Sequence, residues 1–290
     1  MALRADDSDT PALLVYLRDP SSYVAKIAAD ALCDHAGLAL AERLITEYEY
    51  FESNGARRDP GCYIRAALAR LFTRLDYGPA RDALKRGIRT VQIESVAGVP
   101  YDMAGQLRGE CALGLAEMRD PHALQYITPL LFDDGCNGIV KAAPVNAQLR
   151  VVAARAIGRL RNPDGLAVLG VVLGFPDREK NSEVVCECMS AAMELDAQAA
   201  LPLVTAYIES GYRDLFAPAA IAIINSGITG AEVHVASAIS AARGDSLKAI
   251  CLTLAAKRTP YALATLNELA SSDSDEHRIA CAYALAAVGC

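Results

Sequence analysis

One short pattern recurs along this chain and limits what the chain can fold into. Five segments each begin near an apolar residue, continue with small residues three and four positions apart, and then reach a larger apolar residue. They are YVAKIAADAL (23–32), YIRAALARLF (63–72), QLRGECALGL (106–115), QLRVVAARAI (148–157) and HRIACAYALA (277–286). This spacing draws one buried stripe along a helix, so each segment is predicted to be a helix that packs closely against its neighbours.

A second helix-like segment precedes many of these helices. Such segments cover residues 11–19, 38–51, 83–94, 123–133, 165–175 and 261–270. The repeating unit is therefore helix, turn, helix, and the turn often contains Asp-Pro or Pro-Asp, as in RDPSSYV and RDPGCYI. Eight units fit, with second helices that begin near residues 21, 61, 102, 147, 182, 214, 245 and 274.

The repeating unit resembles the HEAT-repeat family. The family pattern is an apolar helix, an Asp-Pro turn and then V-R-x-x-A-A-x-A-L-G, which LRVVAARAIG (149–158) and DPGCYIRAALARL (59–71) match closely. The resemblance covers nearly the whole chain and is weakest over residues 182–258. It implies an all-α, armadillo-type fold: a single domain over residues 1–290 that forms a right-handed α-solenoid of about eight repeats.

Composition agrees with closely packed helices. Apolar residues make up 53 % of the chain, aromatic residues only 6 %, and there is no Trp, so Ala and Leu must supply most of the buried surface. The formal net charge of −7 argues against a nucleic-acid-binding protein, which normally carries a basic surface.

The sequence also predicts where the protein works. The N-terminal MALRADDSDT is acidic and lacks the apolar region of a secretory signal. The longest uncharged apolar stretch, residues 165–175, is too short to span a bilayer. We therefore expect a cytoplasmic protein with no membrane partner, whose nine cysteines are reduced thiols.

Cys111 stands close to Arg108 and Glu110, a grouping that could be interpreted as a thiol active site. When the second helices are aligned, however, Cys111 falls in one column with three further cysteines and four other apolar residues. The column contains Ala28, Leu68, Cys111, Ala153, Cys188, Ala219, Cys251 and Cys281. A catalytic nucleophile would be unique, whereas a residue type that recurs at one position of a repeat indicates packing.

A column of basic residues adjoins the first large apolar residue of each second helix. It contains Arg65, Arg108, Arg150, Lys248 and Arg278, although the first repeat has Ala25 there. Asp59 and Asp102 precede Arg65 and Arg108 by six residues. The HEAT resemblance implies that these Asp and Arg residues form a structural ladder that ties neighbouring repeats together. The members predicted are Asp59, Arg65, Asp102, Arg108, Arg150 and Arg278.

No motif for nucleotide, metal or hydrolase chemistry occurs, so no catalytic, cofactor-binding or metal-binding residue and no cofactor is predicted. Some HEAT-like proteins are enzymes. Deoxyhypusine hydroxylases would need repeated His-Glu pairs, and alkylpurine DNA glycosylases would need aromatic walls and a basic face. HEAT-like bilin lyases lack a short diagnostic motif, so a small-ligand-binding enzyme or chaperone of that kind stays as an alternative.

Residues 57–89 form a basic segment with nine Lys or Arg and three Asp. Arg81, Lys85 and Arg89 follow one another at four-residue spacing and therefore line one helix face. Two interpretations are open: the stripe pairs with the glutamates of the preceding outer helix, or it binds an acidic partner. Those glutamates are Glu42, Glu47, Glu49 and Glu52. Weak binding of a nucleic-acid phosphate backbone is a third.

The longest interruptions of the repeat are residues 94–105 and 133–146, in the third and fourth units. Both are rich in Gly and Pro yet keep apolar residues, so they either contact a partner or cover the seam between repeats. Tyr101, Asp102 and Lys141 are the predicted partner contacts. The predicted function is a non-catalytic protein–protein interaction scaffold that uses the concave face and these two loops.

Overall fold

The structure, a computed structural model, describes residues 10–133, 145–175, 178–209 and 214–289. These residues form 17 α-helices and one two-stranded β-sheet, so the chain is mostly helical, as its sequence predicts. The chain divides into two compact units, Met1–Arg161 and Asn162–Cys290. A single domain over residues 1–290 stays a prediction.

The first compact unit contains nine α-helices in its described residues. They are α1 (Thr10–Tyr16), α2 (Ser22–His35), α3 (Ala41–Glu52), α4 (Gly55–Arg58), α5 (Tyr63–Arg74), α6 (Arg81–Gly87), α7 (Gly105–Glu117), α8 (Ala123–Leu131) and α9 (Val145–Arg159). Helix α1 packs on α2, α3 on α5, α6 on α7, and α8 on α9. The second helices also pack in succession, α2 on α5, α5 on α7, and α7 on α9.

The second unit repeats this arrangement with eight helices. They are α10 (Asp164–Leu173), α11 (Ser182–Leu195), α12 (Ala197–Glu209), α13 (Phe216–Ser226), α14 (Glu232–Ala241), α15 (Gly244–Lys257), α16 (Pro260–Ala270) and α17 (Asp275–Ala287). Here α11, α13, α15 and α17 pack in succession, and so do α10, α12 and α14. The second helices of all eight predicted units therefore begin within about three residues of the predicted positions.

Side-chain caps explain several of these helix boundaries. At the start of α11, the Asn181 side chain accepts hydrogen bonds from the backbone N–H groups of Glu183 and Val184, at 2.9 and 3.2 Å. Thr259 caps α16 and Ser274 caps α17 in the same way. Each cap satisfies an N–H group that has no partner within its helix.

The third of the eight repeat units departs from the predicted helical pattern. Residues 83–94 are predicted as one helix, but α6 ends at Gly87 and the chain continues into a β-hairpin, β1 (Ile93–Val96) and β2 (Val99–Asp102). The predicted irregular loop at 94–105 is thus largely an antiparallel hairpin. Its two-residue turn, Ala97 and Gly98, has positive φ angles of 53° and 81°, which match the twist of paired strands.

The core consists mainly of Ala and Leu side chains from the second helices. On α5, for example, Ala66, Ala69, Leu68 and Leu71 are all fully buried. Small residues allow the neighbouring helices to approach closely, while each fully buried Leu stabilises the fold by roughly 1.5–3 kcal/mol. The four cysteines of the aligned column are fully buried as well: Cys111, Cys188, Cys251 and Cys281.

Candidate functional site

The surroundings of Cys111 indicate packing and not thiol chemistry. Its thiol and the hydroxyl of Tyr48 converge on Gly87, and a Cβ placed on Gly87 would lie 2.5 Å from Cys111 Sγ. Burial raises the pKa of the Cys111 thiol far above its ordinary value, although the neighbouring Tyr48 hydroxyl lowers it. A thiol with so high a pKa is protonated at neutral pH and is therefore a poor nucleophile.

The two charged neighbours of Cys111 in the sequence point elsewhere. Arg108 pairs with Asp102, and its Nη1 donates to the Thr90 carbonyl at 3.0 Å. Glu110 Oε1 lies 3.6 Å from Nε of Arg70 on the neighbouring helix α5. Arg108, Glu110 and Cys111 therefore do not form a common site.

Asp59 and Arg65 form a buried polar cluster at the turn before α5. Arg65 Nε lies 2.9 Å from Asp59 Oδ2, and the Asp59 carboxylate also accepts from the backbone N–H groups of Ile64 and Arg65. Arg65 Nη2 donates to Gln92 Oε1 at 2.5 Å, and Gln92 Nε2 donates to the Asp59 carbonyl at 3.0 Å. Burial raises the pKa of Asp59 even though these hydrogen bonds lower it. Because Gln92 follows α6, the cluster connects the second repeat unit, α3 and α5, to the third, α6 and α7.

A second cluster of the same kind surrounds Asp102 and Arg108. Asp102 Oδ1 accepts from the backbone N–H groups of Gln92 and Ala104, at 3.0 and 3.1 Å. Arg108 Nη2 lies 3.3 Å from Asp133, which follows α8. Arg108 thus bridges the third and fourth units, and Asp102 is occupied by structural contacts.

Of the other two predicted ladder arginines, Arg278 differs from this pattern. Arg150 lies on α9 and is half-buried. Arg278 pairs with Asp275 on its own helix and donates to the Ser272 carbonyl at 2.7 Å. Within the described ranges, the hydrogen bonds of Arg278 stay inside its own repeat, because an exposed arginine near a helix start reaches its own turn first.

The basic stripe does not face the glutamates of the preceding outer helix, so that predicted pairing is wrong. Arg81 Nη2 donates to the Met118 carbonyl at 2.9 Å. Lys85 Nζ lies 2.8 Å from Asp120 Oδ2. The Arg89 guanidinium carbon lies 4.6 Å from the centre of the Tyr126 ring. All three contacts point forward, to residues of α8 and the turn before it.

Two other arginines, Arg86 and Arg18, contact those glutamates. Arg86 lies 2.9 Å from Glu52 and 3.5 Å from Glu49. Arg18 donates hydrogen bonds to the Glu47 carboxylate from Nε at 2.9 Å and from Nη2 at 3.1 Å. The physical reason is the rotation of α6, which turns Arg86 toward α3 and the stripe toward α7 and α8.

Most of the basic segment 57–89 is used by such internal contacts. Beyond the residues just described, Arg70 lies 3.5 Å from Asp30, and Arg74 donates to the carbonyls of Cys33 and Ala36. Arg57 and Arg58 are different, because in the part of the chain that the structure describes neither has a carboxylate partner. Both lie in α4 and are exposed.

A pocket of about 430 Å³ adjoins these two arginines. It opens between two Arg-Asp-Pro turns, residues 18–20 before α2 and residues 58–60 before α5. The guanidinium carbons of Arg18 and Arg58 lie 3.9 and 4.1 Å from the centre of the Tyr50 ring, which forms part of the lining. Sequence reasoning noticed both turns as helix stops, but not that the fold places them side by side.

The β-hairpin carries the predicted partner contacts Tyr101 and Asp102. Tyr101 is half-buried and lies opposite Glu94, while Asp102 is held by the cluster described above. The large apolar residues exposed here are instead Ile93 and Val96 of the hairpin and Val91 just before it, with 45, 49 and 59 % of their surface accessible. The β-branched residues Val91, Ile93, Val96 and Val99 around Ala97-Gly98 are a weak signal that could have indicated this hairpin.

The hairpin is fixed to the turn of the preceding repeat. Glu94 Oε1 accepts a 2.8 Å hydrogen bond from the backbone N–H of Gly61 and one of 2.5 Å from Gln92 Nε2. Gly61 has a φ of 76°, a conformation that suits glycine at this tight turn. The other predicted contact, Lys141, and the loop after Asp133 lie outside the described residues.

Two searches for particular features cover the described residues only. Across residues 10–133, 145–175, 178–209 and 214–289, no group of three or more His, Cys, Asp or Glu is placed to hold a metal ion. Among the helices in those same ranges, none has the length and apolar character that crossing a bilayer requires.

Comparison with known proteins adds no family to this picture. The chain matches no protein-family model and no curated protein sequence. The HEAT-repeat resemblance therefore depends on the residues and on the helix pairs themselves.

Proposed function

We propose that this protein is a HEAT-type repeat protein that acts as a non-catalytic protein–protein interaction scaffold in the cytoplasm. Eight helix pairs, four in each compact unit, support the repeat assignment, and we expect them to wind as a right-handed α-solenoid. Repeat arrays of this kind expose more surface than their folding needs, and partners use that surface.

The anchored hairpin is the observation that carries the proposal. Glu94 accepts a hydrogen bond from the Gly61 N–H and Gln92 donates one to the Asp59 carbonyl, which holds the hairpin against the turn at residues 59–61. Ile93 and Val96 of the hairpin, and Val91 just before it, are nevertheless exposed to solvent. A rigid element that presents exposed apolar side chains lowers the entropic cost of binding a protein surface. In the described residues its two strands pair only with each other, so a strand edge is also open to an extended partner segment.

We expect a second surface, between two of the second helices, to contribute to the concave face as a further contact region. A groove of about 350 Å³ lies between α7 and α9, where Gly105 and Gly109 leave room. Its walls include Leu113, Leu149 and Val152, which suit an apolar side chain of the partner.

Surface substitutions on the hairpin test the scaffold function. In Val91→Thr, Ile93→Thr and Val96→Thr combined, the β-branched shape is kept while the exposed apolar surface shrinks. We expect the triple variant to melt within a few degrees of the parent and to lose the proteins that the parent captures from native extract, as measured by quantitative mass spectrometry.

The matched control places the same change on exposed valines of the second unit, Val171→Thr and Val233→Thr. This variant should capture the same proteins as the parent. If the hairpin variant folds and still captures every one of them, the hairpin is not the contact surface.

A further inference from the structure

The pocket between the two Arg-Asp-Pro turns has the properties of an anion-binding site. We propose that it binds a phosphate monoester whose organic group is apolar or aromatic. This inference goes beyond the scaffold function and stands without it. The pocket lies within the first compact unit and is lined by residues of the turn after α1, of α2, α3 and α4, and of the turn before α5 together with the start of α5.

Three guanidinium groups line the pocket, and two of them have no carboxylate partner. Arg18 is neutralised by Glu47, but Arg57 and Arg58 have no such partner among the described residues. Arg58 uses Nη1 to hold the Tyr50 carbonyl at 2.9 Å and Ser53 Oγ at 2.5 Å. Its remaining N–H groups can donate to a ligand, and they start from a side chain that is already fixed, which favours binding.

Arg57 has a different part in the pocket. In the ranges that the structure covers, its guanidinium group makes no hydrogen bond or ion pair. All of its N–H groups are therefore available, and Arg57 adds a full positive charge that folding does not consume. A planar guanidinium binds phosphate through two parallel hydrogen bonds, which makes arginine the side chain best suited to this group.

The start of α2 adds further donors at the same pocket. Ser22 is part of the lining, and the N-cap residue Ser21 makes no side-chain capping hydrogen bond. The first N–H groups of this 14-residue helix thus lack a capping side chain, and the positive end of its dipole favours an anion. These donors reinforce a site whose charge comes from the arginines.

The acidic residues of the lining are already engaged. Asp59 is paired with Arg65, and Asp19 Oδ1 accepts a 2.8 Å hydrogen bond from the backbone N–H of Ser21. The charged groups of the lining together with Glu47 and Arg65 number four positive and three negative, a net of +1 within a chain of net charge −7. The charge at this place is thus opposite in sign to that of the whole protein.

The apolar part of the pocket accounts for the organic group of the ligand. Leu17, Ala25, Phe51 and Ile64 line the pocket but are already buried, so its accessible apolar surface comes from Tyr50, Tyr63, Pro20 and Pro60. Inorganic phosphate would leave these side chains uncovered, whereas an aromatic or aliphatic ester would cover them. Pockets of a few hundred Å³ with apolar walls and a few polar groups are typical of small-ligand sites.

Titration calorimetry with the full chain tests this site. The probes are phenyl phosphate, which carries both chemical groups, inorganic phosphate, which carries only the anion, and phenol, which carries only the ring. We expect phenyl phosphate to bind one site per chain, at least about tenfold more tightly than either fragment, and to weaken as salt is added. Binding of phenyl phosphate no tighter than that of inorganic phosphate would overturn the proposal.

Arg57→Gln is the decisive variant, because Arg57 holds no described part of the fold together. It should raise the Kd for phenyl phosphate by about tenfold, the order of free energy that one hydrogen bond to a charged group contributes. Arg43→Gln on α3 is the matched control, since Arg43 is likewise exposed and lies outside the pocket lining. An unchanged Kd in Arg57→Gln would contradict the site whatever the behaviour of Arg58 variants.

A final arm distinguishes two sources of the same chemistry. The probes are an acetylated, amidated Gly-phosphotyrosine-Gly peptide and its unphosphorylated form. If the phosphopeptide binds more tightly than phenyl phosphate, the source is a phosphorylated residue of a partner protein. If phenyl phosphate binds as tightly as the phosphopeptide or better, the source is a free small phosphate ester. Arg57→Gln leaves the exposed apolar residues of the hairpin unchanged, and the hairpin variant leaves the pocket lining unchanged, so the two proposals are tested separately.

Discussion

At the scale of single residues, Gly87 explains why a cysteine column can pass for an active site. The thiol of Cys111 and the hydroxyl of Tyr48 occupy the space beside its Cα, so the three residues form one close contact between α3, α6 and α7. A reactive thiol needs access and a low pKa, whereas this one is fully buried with a raised pKa. Small residues thus recur in this column of the sequence because the position lies where neighbouring helices pack closely.

Gly87→Ala should destabilise the protein by about 1–3 kcal/mol, because the added methyl group overlaps Cys111 Sγ and the Tyr48 hydroxyl. Gly37→Ala is the matched control, since a Cβ at Gly37 meets nothing within 4 Å. Urea unfolding monitored by circular dichroism measures both. Adding Cys111→Ala to Gly87→Ala should restore part of the loss, and equal stability of the two single variants would refute the packing interpretation.

Lys85 and Asp120 form one charged contact through which stability depends on pH. Burial alone would raise the pKa of Asp120, but the hydrogen bonds from Lys85 and from the backbone N–H of His122 hold it below its ordinary value of 3.8. A carboxyl group whose pKa is lower in the folded state stabilises the fold above 3.8 and loses this contribution as the pH falls.

Asp120→Asn should therefore lower stability at pH 7 by about 1–2 kcal/mol and flatten the loss of stability between neutral and acidic pH. Thermal unfolding at a series of pH values measures the change. Asp82→Asn is the control, because Asp82 also lies near Lys85, at 4.0 Å, but is exposed. A parental pH dependence in Asp120→Asn would show that this carboxylate does not couple folding to protons.

At the scale of helices and strands, the sequence predicts what depends on local periodicity. The starts of α2, α5, α11 and α17 lie within a few residues of the predicted positions, because apolar spacing and caps are contained in each segment. The hairpin is not predicted, since Ile88 and Val91 continue an apparently helical spacing and the turn is Ala-Gly, not the stronger Asn-Gly signal.

The partners of charged side chains lie beyond local patterns. Whether Arg86 or Lys85 faces the glutamates of α3 depends on how α6 is rotated between α3 and α7, which no single segment specifies. The pocket was missed for the same reason, because its two turns are forty residues apart in the chain. A single segment of sequence predicts a helix or a strand, whereas a site forms where the fold brings residues of several helices and turns together.

At the scale of the whole molecule, contacts run mainly between neighbouring helix pairs. Helix α5 packs on α2 and α7, and α15 packs on α13 and α17. In such arrays stability is close to a sum of repeat terms and terms between neighbours, so a local defect opens a local region first.

Hydrogen exchange measured by mass spectrometry should report this locality. In Gly87→Ala, amides of α3, α6 and α7 should exchange faster than in the parent, while those of α15 and α17 should keep their parental rates. An equal increase in every helix would mean that the chain unfolds as one cooperative body, contrary to this expectation.

The turn at residues 58–61 belongs to two surfaces at once. Arg58, Asp59 and Pro60 line the pocket, while Gly61 and Asp59 hold the hairpin through Glu94 and Gln92. A ligand that contacts this turn in the pocket therefore contacts residues of the same turn that anchors the hairpin. If a ligand in the pocket raises the affinity of the hairpin for a partner, thermodynamic reciprocity requires the partner to raise the affinity of the pocket for the ligand by the same factor. The backbone of these four residues would then couple the two binding events, without a rearrangement of the helices around them.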